Sequence, residues 1–203
     1  MNMFKCKEET LFSKRMTKTE KFWRRLPFTT FFDSKFIDNS LDKKLIENVK
    51  KNDLEGVEKS LLNGAKIDAR DENKKNALMI ALENENYKMA ELFIREGINL
   101  FVRDKQKKMA LHYAAKVGKD LKFVSLILNE IPYKKQIKII NLQDRSGNTP
   151  LHYAVMNSNY YVVSNLLQKK ANYRIVNNKG ESSYTLAEKI GNQNILNELN
   201  RYK

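Results

Sequence analysis

The chain has 203 residues, of which 41% are hydrophobic and 31% charged, and it carries a formal net charge of +14. Its 7 glycines and 3 prolines argue against long flexible linkers, and a single cysteine, Cys6, excludes an internal disulfide. No run approaches the roughly 18 consecutive apolar residues of a membrane span, and the charged N-terminus lacks the apolar core of a secretory signal. We therefore expect a cytoplasmic protein, or one secreted into a host cell without such a signal.

Residues 1–40 combine many aromatic and basic side chains and contain the only tryptophan, Trp23. Such a mixture can stack on single-stranded nucleic acid or lie on an anionic membrane. It can also cover the exposed end of a helical array, which needs a cap. We predict an N-terminal extension that acts as a cap or a partner-docking segment, with nucleic-acid or membrane binding as the alternative.

From residue 41 the apolar residues follow helical spacing. The stretch from Leu41 to Asn52 predicts a first helix and the stretch from Leu54 to Asn63 a second. Gly64 follows the second helix, as expected of a C-terminal cap. This pair lacks the motif that marks the later copies, so we expect it to form the atypical first unit of an array.

The rest of the chain repeats itself. Four anchors, Asp71, Asp104, Asp144 and Asn177, are separated by 33, 40 and 33 residues. Each anchor precedes a turn, a short apolar helix and a second helix, and Asp or Asn at the start of a turn fits known turn chemistry. A single helix pair cannot bury its apolar face alone, so we expect the pairs to stack.

Two copies share a six-residue block that reads MALHYA at residues 109–114 and TPLHYA at residues 149–154. Thr149 stands where a helix N-cap is expected and Pro150 at the first helical position. His112 and His152 are the only histidines and occupy the same position in the block, which favours a structural role over catalysis.

This pattern resembles the ankyrin repeat, whose consensus is D-x-x-G-x-T-P-L-H-x-A-A followed by V-V-x-x-L-L-x-x-G-A. Residues 144–154 match it nearly in full, and the resemblance covers roughly residues 41–203. It implies an all-α solenoid of about five helix-turn-helix units joined by short β-hairpin-like turns. It also implies that His112 and His152 hydrogen-bond the backbone of neighbouring loops. The units implied are about residues 41–70, 71–103, 104–143, 144–176 and 177–203.

The interval between Asp104 and Asp144 holds seven extra residues. One fits the turn near Lys119, and the others fall between Glu130 and Ile140. They indicate either a longer helix and loop, which costs little closure entropy, or a loop that contacts a partner.

Residue patterns typical of catalysis are missing from the sequence. There is no phosphate-binding loop or dinucleotide fingerprint, and no nucleophile is paired with a plausible base. One cysteine and two histidines also make a poor zinc site. We expect no enzyme, no cofactor and no metal.

The resemblance also implies where partners bind, because ankyrin proteins usually use their turn tips and the inner face of the first helices. The consensus leaves these positions free, so the basic residues that gather there indicate an acidic protein surface or phosphate groups as partner. The alternative is a solvated lysine-rich rim. Mapped onto this chain, the positions are Arg70, Glu72, Asn73, Lys75, Glu83, Asn84, Arg103, Lys105, Gln106, Lys108, Lys116, Val117, Gln143, Arg145, Ser146, Asn148, Met156 and Asn157.

Together these observations predict a monomeric, non-catalytic scaffold for protein–protein interaction. The size and the bias towards Lys and Asn resemble effectors that intracellular bacteria deliver into host cells. A/T-rich codons could produce the same bias and the same positive charge. Nucleic-acid or anionic-membrane binding through residues 1–40 and the basic rim is the alternative function.

Overall fold

The computed structural model describes residues 39–117 and 121–203. The predicted N-terminal extension, apart from its last two residues, and the extra turn residue predicted near Lys119 therefore lie outside the described part. Within those two ranges the chain forms eleven helices and no strand, and none of the helices is long and apolar enough to cross a membrane. The all-α fold class predicted from the sequence is confirmed.

Ten of these helices form five consecutive pairs, one in each predicted unit. An eleventh helix, α7, stands between the third and fourth pairs. The helices are α1 Asn39–Lys50, α2 Leu54–Leu62, α3 Ala77–Glu83, α4 Tyr87–Arg95, α5 Ala110–Lys116, α6 Lys122–Asn129, α7 Tyr133–Ile139, α8 Pro150–Met156, α9 Tyr160–Gln168, α10 Ser183–Ile190 and α11 Gln193–Asn200.

Helix α1 begins and ends two residues before the predicted bounds. It cannot extend to Asn52, because that residue adopts a left-handed conformation with φ of 58°. Asp53 then caps α2, and its side chain accepts a hydrogen bond from the Gly56 N–H at 2.9 Å. The break between the two helices is therefore encoded by the Asn52-Asp53 pair.

Asparagine begins most of the second helices of the pairs. Asn86, Asn159 and Asn192 are the N-caps of α4, α9 and α11, and each side chain accepts a hydrogen bond from a backbone N–H of the first turn. A cap of this kind contributes about 1 kcal/mol. Part of the asparagine content therefore has a structural use, whatever the codon bias of the genome.

The pairs stack so that their first helices form one layer. Helix α1 packs on α3, α3 on α5, α5 on α8 and α8 on α10. Leu45, Leu78, Leu111 and Leu151 occupy equivalent positions in this layer, and all four are buried. Burying a leucine side chain stabilises the fold by roughly 1.5–3 kcal/mol. This column of leucines is the physical link from one unit to the next.

The second helices form the other layer, in which α4 packs on α6 and α9 packs on α11. The contacts between α2 and α4 and between α6 and α9 are weaker. A groove of about 420 Å³ lies beside Leu121 at the start of α6 and Tyr160 and Tyr161 of α9. The second layer is therefore less continuous than the first.

The extra residues between the third and fourth units form a separate helix rather than an extension of α6, which ends at Asn129. The buried Gln136 side chain fastens α7 by donating to the carbonyls of Leu128 and Ile131, both at 2.7 Å. Ile139 and Ile140 at its end are buried in the core. The insertion is thus packed against the stack by specific contacts.

Candidate functional site

Each turn that precedes a first helix is closed by its anchor residue. The Asp144 carboxylate accepts hydrogen bonds from the N–H groups of Ser146 and Asn148 at 2.8 and 2.9 Å. Asp71 and Asn177 make the equivalent pairs of bonds, and Asp104 accepts from the N–H of Lys108. Because the anchor side chain holds the turn from inside, the residues at its tip project outward.

Neighbouring turns are joined through their backbones in a fixed register. The Lys105 N–H donates to the Asn73 carbonyl at 2.8 Å, and the Arg145 N–H donates to the Gln106 carbonyl at 2.7 Å. The Asn178 N–H donates to the Ser146 carbonyl at 3.0 Å. The four turns therefore form one continuous row, which we call the turn row (residues 70–75, 103–108, 143–148 and 176–181).

Two residues predicted to bind a partner, Arg103 and Gln143, also hold adjacent units together. Arg103 donates through Nη2 to the Gln143 carbonyl at 2.5 Å and through Nε to the Lys107 carbonyl at 2.9 Å. Gln143 donates through Nε2 to the carbonyls of Val176 and Gly147 at 2.9 and 2.7 Å. Each side chain thus links its own turn to the equivalent residue of the next unit.

Other members of the predicted set are also engaged within the stack. Asn84 donates to the Val49 carbonyl at 3.0 Å, and Asn148 accepts from the Asn177 side chain at 3.0 Å. Two exposed ion pairs, Lys50–Glu72 at 3.2 Å and Lys75–Glu83 at 2.7 Å, complete these contacts.

All 18 predicted partner-binding residues lie on the surface, and none is buried. Six are partly covered by their neighbours, namely Lys75, Asn84, Arg103, Lys108, Val117 and Asn148. The other twelve are exposed, namely Arg70, Glu72, Asn73, Glu83, Lys105, Gln106, Lys116, Gln143, Arg145, Ser146, Met156 and Asn157.

Two tyrosines of the first helices, Tyr113 of α5 and Tyr153 of α8, adjoin the turn row and are not among the predicted partner-binding residues. Tyr113 donates its hydroxyl to the Asp104 carboxylate at 2.6 Å, and Tyr153 does the same to Asp144. Burial, followed by the neighbouring carboxylate, raises the pKa of each phenol, so both remain neutral donors. The signal in the sequence was the tyrosine that recurs beside each histidine, nine residues after an anchor.

Lysines from adjacent turns lie over these two rings. The Lys75 Nζ is 5.5 Å from the centre of the Tyr113 ring. The Lys108 Nζ lies between the two rings, 6.0 Å from Tyr113 and 5.0 Å from Tyr153. These distances are within the range of cation–π attraction. Lysines therefore alternate with buried or partly buried tyrosines in the order Lys75, Tyr113, Lys108, Tyr153, which we call the lysine–tyrosine row.

Each histidine bridges the N-cap of its own helix and a backbone carbonyl 29 or 30 residues further along the chain. The Nδ1 of His112 accepts from the Met109 N–H at 3.1 Å, and its Nε2 faces the Leu142 carbonyl at 3.0 Å. His152 bonds the Thr149 N–H and the Glu181 carbonyl in the same way. Because a carbonyl only accepts hydrogen bonds, Nε2 carries the proton, and because Nδ1 accepts from a backbone N–H it carries none. Each ring is therefore neutral. Thr149 is the N-cap of α8 and Pro150 its first residue.

Metal-ligating side chains do not gather on the part of the chain that the structure describes. Within residues 39–117 and 121–203, no group of three His, Cys, Asp or Glu side chains is placed to hold a metal ion. Both histidines are buried and occupied by backbone partners. The turn row presents exposed charges and hydrogen-bonding groups in a fixed register.

Comparison with known proteins gives a family for this arrangement. A model described as ankyrin repeats (3 copies) matches residues 45–139, and one described as ankyrin repeat matches residues 146–178. Together the two matches cover more than half of the chain.

The chain also resembles individual curated proteins. It is 35% identical to inversin of Mus musculus over 99 residues, which are 48% of this chain and 9% of inversin. It is 29% identical to an ankyrin repeat protein of Acanthamoeba polyphaga mimivirus over 124 residues, 60% of this chain and 16% of that protein. It spans less than a fifth of the length of either relative. On the repeat pattern, the stacked helix pairs and these matches, the chain belongs to the ankyrin-repeat family.

Proposed function

We propose that this chain is a monomeric, non-catalytic scaffold that binds an acidic surface of another protein through the tips of its turn row and the inner, concave face of its first helices. Ankyrin repeats generally mediate protein–protein interaction, which supports the class of function. The exposed or partly exposed positions of the predicted partner-binding residues are compatible with it.

The lysine–tyrosine row is the observation that carries the proposal. A solvated lysine rim would leave its ammonium groups without fixed neighbours, whereas Lys75 and Lys108 rest on tyrosine rings. The rings are in turn fixed by bonds to Asp104 and Asp144. A cation–π contact at an exposed site contributes about 0.5–1 kcal/mol and leaves the charge available to a carboxylate. Because these lysine side chains are already ordered, they lose little conformational entropy when a partner binds.

Existing ion pairs do not block such a partner. The Lys75–Glu83 pair lies at the surface with 21% of the Lys75 side chain and 37% of the Glu83 side chain exposed, and surface pairs contribute about 0–1 kcal/mol. A carboxylate from a partner can therefore replace Glu83 at small cost.

Charge reversal on the turn row tests the proposal. We expect Lys105→Glu with Lys108→Glu to weaken partner binding about 10- to 100-fold, because two favourable contacts become repulsive. The control is Lys59→Glu with Lys88→Glu, which changes the net charge equally at exposed positions of α2 and α4. Arg103 is left intact because its replacement would also break the bond to the Gln143 carbonyl.

The measurement is affinity capture from the lysate of the relevant cell, followed by titration of the captured protein against each variant. Loss of binding in the turn-row variant alone supports the proposal. Equal binding by the turn-row variant and the unaltered chain would count against this surface.

Nucleic acid and anionic membrane remain the alternative partners. Phosphate neutralisation makes such binding fall steeply with salt, so the chain is titrated with DNA, RNA and anionic vesicles at several salt concentrations. Absence of binding at low salt ends this alternative. The proposed role of an effector inside a host cell is tested by fractionation, and it fails if the protein stays in the producing cell.

A further inference from the structure

One position of each turn in the turn row has a left-handed backbone. It is occupied by Lys74, Lys107, Gly147 and Gly180, with φ of 62°, 60°, 78° and 74°. In every turn the N–H of this residue donates to the anchor carbonyl, at 2.9–3.1 Å. The four turns therefore have the same geometry at this point, but two use lysine where two use glycine.

Lysine is the less suitable residue for this conformation. A left-handed backbone brings the Cβ atom of an L-residue close to the following carbonyl, whereas glycine adopts it without that clash. Gly147 and Gly180 show that the turn closes without a side chain. The side chains of Lys74 and Lys107 are exposed, and within the described part of the chain neither ammonium group makes a hydrogen bond, an ion pair or a ring contact. These lysines therefore strain the turn without holding the stack together.

Charge is distributed unevenly along the turn row. Residues 70–75 and 103–108 hold seven basic side chains and three acidic ones, whereas residues 143–148 and 176–181 hold two of each. Two of those three acidic residues, Asp71 and Asp104, are anchors engaged in hydrogen bonds of the turn, and the third, Glu72, pairs with Lys50. The positive charge left for a partner is concentrated on the first two turns.

We propose that an acidic segment of a partner protein docks on residues 70–75 and 103–108, and that Lys74 and Lys107 contact its carboxylates. This inference rests on the proposed function and specifies where on the turn row the partner lies. The local excess of charge supplies the complementarity, and the exposed ammonium groups of Lys74 and Lys107, which make no contact within the described part of the chain, are available to a partner's carboxylates.

The test is the pair Lys74→Gly and Lys107→Gly in the full chain. The probe is a 12-residue glutamate-rich peptide, with a glutamine-rich peptide of the same length for comparison. We expect binding of the acidic peptide to weaken about 5- to 10-fold, because two exposed charge contacts are lost. We also expect the unfolding midpoint to rise by about 2–4 °C per substitution as strain is relieved.

Lys170 provides the matched control. It is exposed, has a left-handed backbone with φ of 68°, and stands where Gly64 and Gly97 follow the second helices of two other pairs. Lys170→Gly should raise the midpoint similarly and leave peptide binding unchanged. Lys74→Arg with Lys107→Arg keeps the charge, so it should keep the affinity.

Nuclear magnetic resonance locates the peptide. We expect its largest amide shifts within residues 70–75 and 103–108, and shifts confined to residues 143–148 and 176–181 would overturn the inference. Unchanged affinity in the glycine variant, or equal weakening by Lys170→Gly, would also overturn it and leave the proposed function standing. The proposed function fails separately if Lys105→Glu with Lys108→Glu does not weaken the peptide either, or if the unaltered chain does not bind it.

Discussion

At Gly147 the next turn comes too close for any side chain. A Cβ atom there would lie 2.7 Å from the backbone nitrogen of Asn178 and 2.9 Å from the Cα of Asn177. Gly180 has nearly the same φ, but nothing lies within 4 Å of the equivalent point, since its turn belongs to the last helix pair. Glycine at these two equivalent positions therefore has different causes. Both need a left-handed backbone, but only Gly147 is also approached closely by the next turn.

This difference predicts that alanine substitution lowers the stability of the fold by different amounts at the two positions. We expect Gly180→Ala to lower the free energy of unfolding by about 1–2 kcal/mol, the cost of a left-handed residue with a Cβ atom. Gly147→Ala should lower it by a further 1–3 kcal/mol or so, because the backbone of the fifth unit must also shift. Chemical denaturation of both variants measures the difference. Equal losses would mean that the close approach at Gly147 is relieved without cost.

The stability of the stack depends on pH through His112, because its ring is neutral in the folded protein. Burial lowers the pKa of His112 to about 4, against an ordinary value of 6.5 in the unfolded chain. The unfolded state therefore binds more protons between these two values, so the stabilising contribution is complete above pH 6.5 and is lost as the pH falls towards 4. Burial lowers the pKa of His152 as well, so its effect has the same sign.

We expect the free energy of unfolding to fall by about 2 kcal/mol between pH 7 and pH 5 on account of His112 alone. His112→Asn removes the titrating group, so the variant should be less stable at pH 7 but should lose less stability on acidification. Urea denaturation at several pH values measures both slopes. Parallel slopes for the two proteins would show that His112 does not carry the effect.

At the scale of elements, a buried carboxylate joins the last two helix pairs. Glu198 of α11 is only 3% exposed and accepts hydrogen bonds from Ser164 of α9 at 2.6 Å and from Arg201 at 2.8 Å. The Tyr160 hydroxyl donates to it at 3.3 Å. A terminal unit has a neighbour on one side only, so these bonds fasten the end of the second layer.

Glu198→Ala should therefore destabilise α11 first. We expect a loss of about 1–3 kcal/mol, because the partly buried hydroxyls of Tyr160 and Ser164 lose their acceptor, and faster amide hydrogen exchange in α11 than in α8. Glu198→Gln keeps an acceptor and should lose less. The control Glu188→Ala alters an exposed position of α10 and should change exchange little. Uniform acceleration along the whole chain would contradict a local role.

Helix α7 shows what the sequence could and could not predict about an element. The count of extra residues and their place after the second helix were evident from the repeat spacing. Their helical form was not, because a seven-residue segment has little helical stability of its own. It depends on Gln136 and on the burial of Ile139 and Ile140, which are tertiary contacts.

At the scale of the whole molecule, a stack of repeats separates stability from recognition. The leucine column and the turn-row hydrogen bonds run from unit to unit, and each unit depends chiefly on its neighbours. Tip side chains that make no contact with a neighbouring unit, such as Lys74 and Lys107, can therefore vary without altering this core. The excess positive charge of the turn row lies in its first two turns, so the two ends of the molecule present different surfaces to a partner.

The sequence by itself determined the number of units, their order and the place of most helices. These features follow from motifs repeated every 33 or 40 residues, and local spacing is enough to encode them. Only the tertiary structure decided which tip residues are also engaged in holding the stack. Three of these residues donate to backbone carbonyls far along the chain: Arg103 at a separation of 40 residues, Asn84 at 35 and Gln143 at 33. The lysine–tyrosine row likewise joins adjacent units. Such contacts depend on how neighbouring units are rotated and spaced, which the periodicity of a sequence does not specify.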